Sequence, residues 1–111
     1  MNPNDFMAPL KAKYLIQLRE RRGEITEFLE FCERGNLTEE VYEDMRKKTH
    51  RLAGSAATYG FPWITNAARA LEFAIQPSAE STQLVDLTRS LLRECDRALG
   101  SRGAVTNEAV E

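Results

Sequence analysis

The chain is poor in the residues that most often carry chemistry. In 111 residues it has one histidine, His50, and two cysteines, Cys32 and Cys95. One imidazole and two distant thiols make no zinc-ligand spacing. They leave a hydrolytic or metal-dependent enzyme as the weakest reading. Both cysteines fall on apolar helical stripes, which points to buried thiols and not to a disulfide. No apolar run approaches the roughly 18 residues of a membrane-spanning helix. The opening MNPNDFMAPL lacks the basic and apolar blocks of a signal peptide. A cytoplasmic location with no membrane partner is therefore expected. Excess positive charge is missing too: 15 Lys and Arg stand against 17 Asp and Glu, a net charge of -2. That argues against a general nucleic-acid binder. Internal repeats, low-complexity blocks and Gly-rich phosphate loops are absent as well.

What fills the chain instead is apolar residues at helical spacing. A 42% hydrophobic chain of this length can build one core in one domain. A first helix is expected from Pro9 to Arg34, striped by Leu10, Tyr14, Leu18, Ile25, Phe28, Leu29 and Cys32. Gly23 inside it invites a bend or a break, and Asp5 to Ala8 suggests a short leading turn or helix. Thr38 is a good N-cap for a second helix, with Glu39 and Glu40 meeting the positive end of its dipole. Its stripe runs through Val41, Met45, Thr49, Leu52 and Ala56, and Gly60 supplies a stop. Phe61 precedes a proline and is pushed out of the helical region, and Pro62 opens the third helix. That helix carries Ile64, Ala67, Ala68, Leu71 and Ile75 on one face. After Pro77, a last helix is striped by Leu84, Leu87, Leu91, Cys95 and Leu99. Nothing reads as a strand. The expected fold is all-α, an antiparallel up-down four-helix bundle over residues 1–100 with room for a short extra N-terminal helix. Residues 101–111 lose the pattern and are expected to form a flexible tail.

The lone histidine stands beside an unusually bare stretch, THRLAGSAATYG, from Thr49 to Gly60. A helical step of about 100° puts His50 one position off the buried stripe of the second helix, at the surface or its edge. It shares that face with Arg46, Lys47, Ala53, Gly54 and Ala57. Helical side chains lean toward the N-terminus, so positions 53 and 54 would lean over His50. They offer a methyl group and nothing. Glycine inside a helix costs roughly 1 kcal/mol relative to alanine. Either something approaches His50 closely from that side, or two helices pack at a small-residue contact. Arg46, Lys47, Lys48 and Arg51 make a basic collar that suits an anionic ligand or an added phosphate. It equally suits a solvated face obeying the helix dipole.

His50, Leu52, Ala53, Gly54, Ser55, Ala56 and Gly60 together resemble the signature of histidine-containing phosphotransfer (HPt) domains. Leu71 and Glu72 match a Leu-Glu or Leu-Gln pair that these domains show in the following helix. The resemblance implies a phosphorelay carrier. His50 would accept a phosphoryl group from the phospho-Asp of a receiver domain and pass it to another receiver's Asp. Glu72 would orient the imidazole. Response-regulator receivers and a hybrid sensor histidine kinase would be the partners, and the chain is expected to act as a monomer. No cofactor is expected on this chain; Mg²⁺ would come with the receiver. The chain would not be a kinase, since nothing in it suits ATP. A docking groove floored by Ala53, Gly54 and Ala57 is expected beside His50. The sequence departs from the family at Ala53, where a lysine is usual; Arg69 on the neighbouring helix is a candidate substitute. The competing reading is a helical adaptor that binds a signalling partner without being phosphorylated.

Overall fold

A computed structural model of the protein describes the backbone of residues 3–110 and the side chains of residues 7–100. Four helices follow one another: α1 (Pro3–Arg34), α2 (Glu39–Ala56), α3 (Pro62–Ala74) and α4 (Ser81–Val110). A single 3₁₀ turn, Ala57–Tyr59, lies between α2 and α3. Among the described residues there is no strand. Short connections make neighbours antiparallel, and α4 closes the bundle by packing along both α1 and α3.

The helix ends follow local chemistry. The hydroxyl of Thr38 accepts the Val41 N–H at 3.1 Å and caps α2. Gly35 and Gly60 both take positive φ, 73° and 96°. At each, the glycine N–H bonds a carbonyl three residues back, and the next N–H bonds one five back: Asn36 to Phe31 and Phe61 to Ala56. This is the Schellman stop, which needs a left-handed residue and therefore favours glycine. Pro62 then stands in the first turn of α3.

Three expectations are corrected. First, α1 is one helix from Pro3, so no separate N-terminal helix precedes it. Pro9 lies inside it; a proline removes one backbone bond, and the helix continues through the loss. Gly23 does not break it either. Leu18 and Ile25 on either side are buried, and tertiary packing of an apolar face outweighs a propensity penalty of about 1 kcal/mol. Second, Leu10 is 43% exposed. The enclosed stripe of α1 begins one turn later, at Tyr14. Third, helical backbone runs on to Val110. The end of the last helix expected near Gly100 is therefore not a helix end.

The core is formed by the expected stripes, with Leu18, Ile64, Leu71, Leu84 and Leu91 fully enclosed. Cys32 and Cys95 are free and buried. Burial pushes their thiols up to about 11 and about 12. Arg22 pairs with Asp96 and Glu33 with Arg89 across the α1–α4 seam. Cys95 therefore lies near the Arg22 level and Cys32 near the Glu33 level, roughly 10–15 Å apart along the axis. That separation rules out a disulfide between them.

Candidate functional site

The site forms where α2 and α3 run side by side. The inner face of α2 is Met45, Thr49, Leu52, Ala53 and Ala56; that of α3 is Ile64, Thr65, Ala68, Leu71 and Ala74. His50 follows the buried Thr49 and Glu72 follows the buried Leu71, so each stands at the edge of its own inner face. The antiparallel register sets these edges opposite each other. His50 Nδ1 lies 2.8 Å from Glu72 Oε2. The imidazole is 76% exposed and the carboxylate 27%.

Polar links hold this register on both sides of the pair. One turn before His50, Arg46 donates from Nε and Nη2 to the Ile75 carbonyl at 3.3 and 3.1 Å. Ile75 caps the C-terminal end of α3, where a cation also meets the negative end of the helix dipole. Beyond His50, the Thr65 hydroxyl accepts the Ala57 N–H and donates to the Ala53 carbonyl, both at 2.9 Å. It sits between two backbone groups that an uninterrupted helix would join to each other. The 3₁₀ turn starts at that point.

A carboxylate can only accept, so Glu72 assigns the proton of a neutral ring to Nδ1. Nε2 then keeps its lone pair. Among the described residues no hydrogen bond engages Nε2, and the ring stands in solvent.

The residues singled out from the sequence separate in space. Arg46, His50, Arg69 and Glu72 meet at one open depression, walled also by Phe73, Ile75 and Gln76. Gly54 is exposed, and a Cβ built there would meet nothing within 4 Å. Ala57 and Lys47 are exposed too. Arg51 is on the other flank of α2, beside Tyr14, Gln17 and Arg21 of α1. Two expectations fail. Ala53 is only 5% exposed; α3 covers it and its carbonyl takes the Thr65 hydroxyl, so it is core and not the floor of a groove. Arg46 is no free collar charge, because its guanidinium is committed to Ile75 and to the Glu43 carboxylate. Arg69 borders the same depression, and no ion pair among the described residues engages it.

One residue was missed. Phe73 is 88% exposed and borders the depression. The α3 periodicity held the signal. At about 100° per residue, position 73 falls opposite the Ile64–Ala68–Leu71–Ile75 stripe.

Among the described residues, no cluster of three or more His, Cys, Asp or Glu is gathered to hold a metal ion. No helix among them is long and apolar enough to cross a membrane.

Four antiparallel helices thus present one outward imidazole, backed by a carboxylate from the next helix. The family model for the Hpt domain matches residues 10–103, and the chain belongs to that family. Hpt domains serve in histidine phosphotransfer within phosphorelays, as carriers that work with receiver domains and histidine kinases. Comparison with curated proteins and with solved structures gave no match.

Proposed function

We propose that this chain is a phosphorelay carrier in which His50 takes a phosphoryl group from a receiver's phospho-Asp and returns it to another receiver's Asp. The observation that carries the reading is the 2.8 Å contact of His50 Nδ1 with the Glu72 carboxylate. In the neutral ring it keeps the proton on Nδ1 and leaves the opposite nitrogen free to act as a nucleophile.

The transfer balances as follows. The Nε2 lone pair forms a bond to phosphorus. The bond from phosphorus to the aspartyl oxygen breaks, and its electron pair stays on the departing carboxylate. The ring gains positive charge as the N–P bond forms. The proton remains on Nδ1, where Glu72 neutralises that charge through the hydrogen bond. The return step reverses each of these. Phosphoryl transfer needs positioning and charge stabilisation more than covalent help. This chain supplies a rigidly seated imidazole and the Arg69 cation at the rim; the Mg²⁺ is assigned to the receiver. The carrier has no kinase activity of its own, works as a monomer, and belongs in the cytoplasm with its partners.

Ala53, which brings no cation, favours a second reading: an adaptor that docks without taking phosphate. One experiment separates the two. The chain is incubated with receivers phosphorylated by a hybrid kinase and ATP, and acid-labile phosphate on it is measured. Labelling that disappears in His50→Ala is the expected result. No label from any receiver overturns the carrier; label surviving in His50→Ala overturns the site.

A further inference from the structure

The groove expected along Ala53, Gly54 and Ala57 is half closed, because Ala53 lies under α3. The open ground next to His50 continues onto α3 instead. Arg69, Glu72 and Phe73 succeed one another there at helical spacing, and Gln76 follows just past the end of the helix. Phe73 is the conspicuous member. Phe28 and Phe61 are buried, as aromatic carbon prefers. Phe73 leaves 88% of its surface in water, on the rim of the depression that holds the imidazole and its carboxylate.

A single exposed apolar residue is ordinary. This one differs by its place: a partner that reaches Nε2 of His50 must cover the same rim. Beside it stands Arg69, a cation without an ion pair among the described residues, which suits a partner whose reacting centre is acidic. Aromatic side chains that pass from water into a partner's recess carry much of the binding in protein interfaces, with neighbours contributing little.

We infer that Phe73 is the docking anchor for the receiver domain, entering an apolar recess next to the receiver's acidic phospho-acceptor pocket while Arg69 faces that pocket. The inference rests on the carrier reading of His50. It also makes the docking footprint lopsided: α3 provides the grip, and the bare Gly54 of α2 provides clearance.

The test separates docking from chemistry. Phosphoramidate is a small phosphoryl donor that needs no docked protein, so it reads the imidazole alone. Phe73→Ala should take label from it as the wild type does. Its phosphorylated form, mixed with a receiver domain that discharges the wild type, should transfer about tenfold more slowly or worse at low receiver concentration. Saturating receiver should restore most of the rate, because an anchor acts on KM and not on kcat. Phe73→Leu should retain more transfer than Phe73→Ala. Equal discharge of wild type and Phe73→Ala overturns the anchor while leaving the carrier standing. A wild type that sediments as a dimer, becomes monomeric as Phe73→Ala and transfers unchanged also overturns it, since the ring then serves a second copy. A phosphorylated wild type that no receiver discharges overturns the carrier reading and the anchor with it.

Discussion

Across the α1–α4 seam the contacts are apolar inside and ionic outside. Leu18, Ile25 and Phe28 meet Leu84, Leu91 and Cys95 in the core, while Arg22–Asp96 and Glu33–Arg89 pair at the surface. Across the α2–α3 seam, polar groups reach inward. Thr65 bonds two backbone groups of the α2 end from a buried position, and Arg46 ties α2 to the last carbonyl of α3. Apolar contacts are non-directional and tolerate small slips; exposed ion pairs are worth about 0–1 kcal/mol. Buried hydrogen bonds are short, directional and costly to leave unmade. The seam built from them is the one that must keep His50 and Glu72 within hydrogen-bonding distance. Both helix pairs bury apolar side chains, and the α2–α3 pair adds the polar links that set register.

The sharpest way to break this division is Leu91→Ala. Leu91 is fully buried on α4, and its truncation should cost about 2–5 kcal/mol in urea unfolding. The His50 ring nitrogens should keep their wild-type NMR shifts, since the α2–α3 register does not depend on it. Thr65→Val should cost less, about 1–3 kcal/mol, because the Ala57 N–H and the buried Ala53 carbonyl lose their partner. Here the His50 nitrogen shifts should move toward a mixed tautomer. If Leu91→Ala disturbs the imidazole more than Thr65→Val does, the two seams do not divide the work. The smallest effect on stability is expected from two glycines in helices. A Cβ at Gly23 or at Gly54 would meet nothing within 4 Å, so leucine at either should leave stability unchanged or raise it by up to about 1 kcal/mol. Receiver-driven labelling should separate them: Gly54→Leu should slow it strongly and Gly23→Leu should not. Equal rates would remove clearance as the reason for a bare position 54.

Much of this was legible from spacing. Thr38 acts through its hydroxyl on a near neighbour, and Gly60 and Pro62 through their own backbones, so local rules placed the helix ends. His50 stood out as the lone imidazole, whereas Glu72 was reached only through the Leu71–Glu72 pair of the family resemblance. Ala53 was misread since a one-step offset cannot say how far a neighbouring helix overlaps. The bond from Arg46 to Ile75 is a tertiary polar contact with no period to betray it. Phe73 was visible on the helical wheel, yet an aromatic residue is by habit assigned to a core. The unbroken length of α1 through Pro9 and Gly23 reflects packing, which local breakers do not report.

The sequence distances within the site bear on how the protein assembles. His50 and Glu72 are 22 residues apart, and Arg22 and Asp96 are 74 apart. Closing the shorter loop costs about 1 kcal/mol less entropy by the logarithmic scaling of flexible loops. The hairpin that carries the imidazole and its carboxylate is thus the cheaper part of the topology to close, whereas the α1–α4 clasp joins distant parts of the chain. Local pairings of this kind favour fast folding. The His50–Glu72 pair is encoded in one short, contiguous stretch, and the rest of the bundle steadies it.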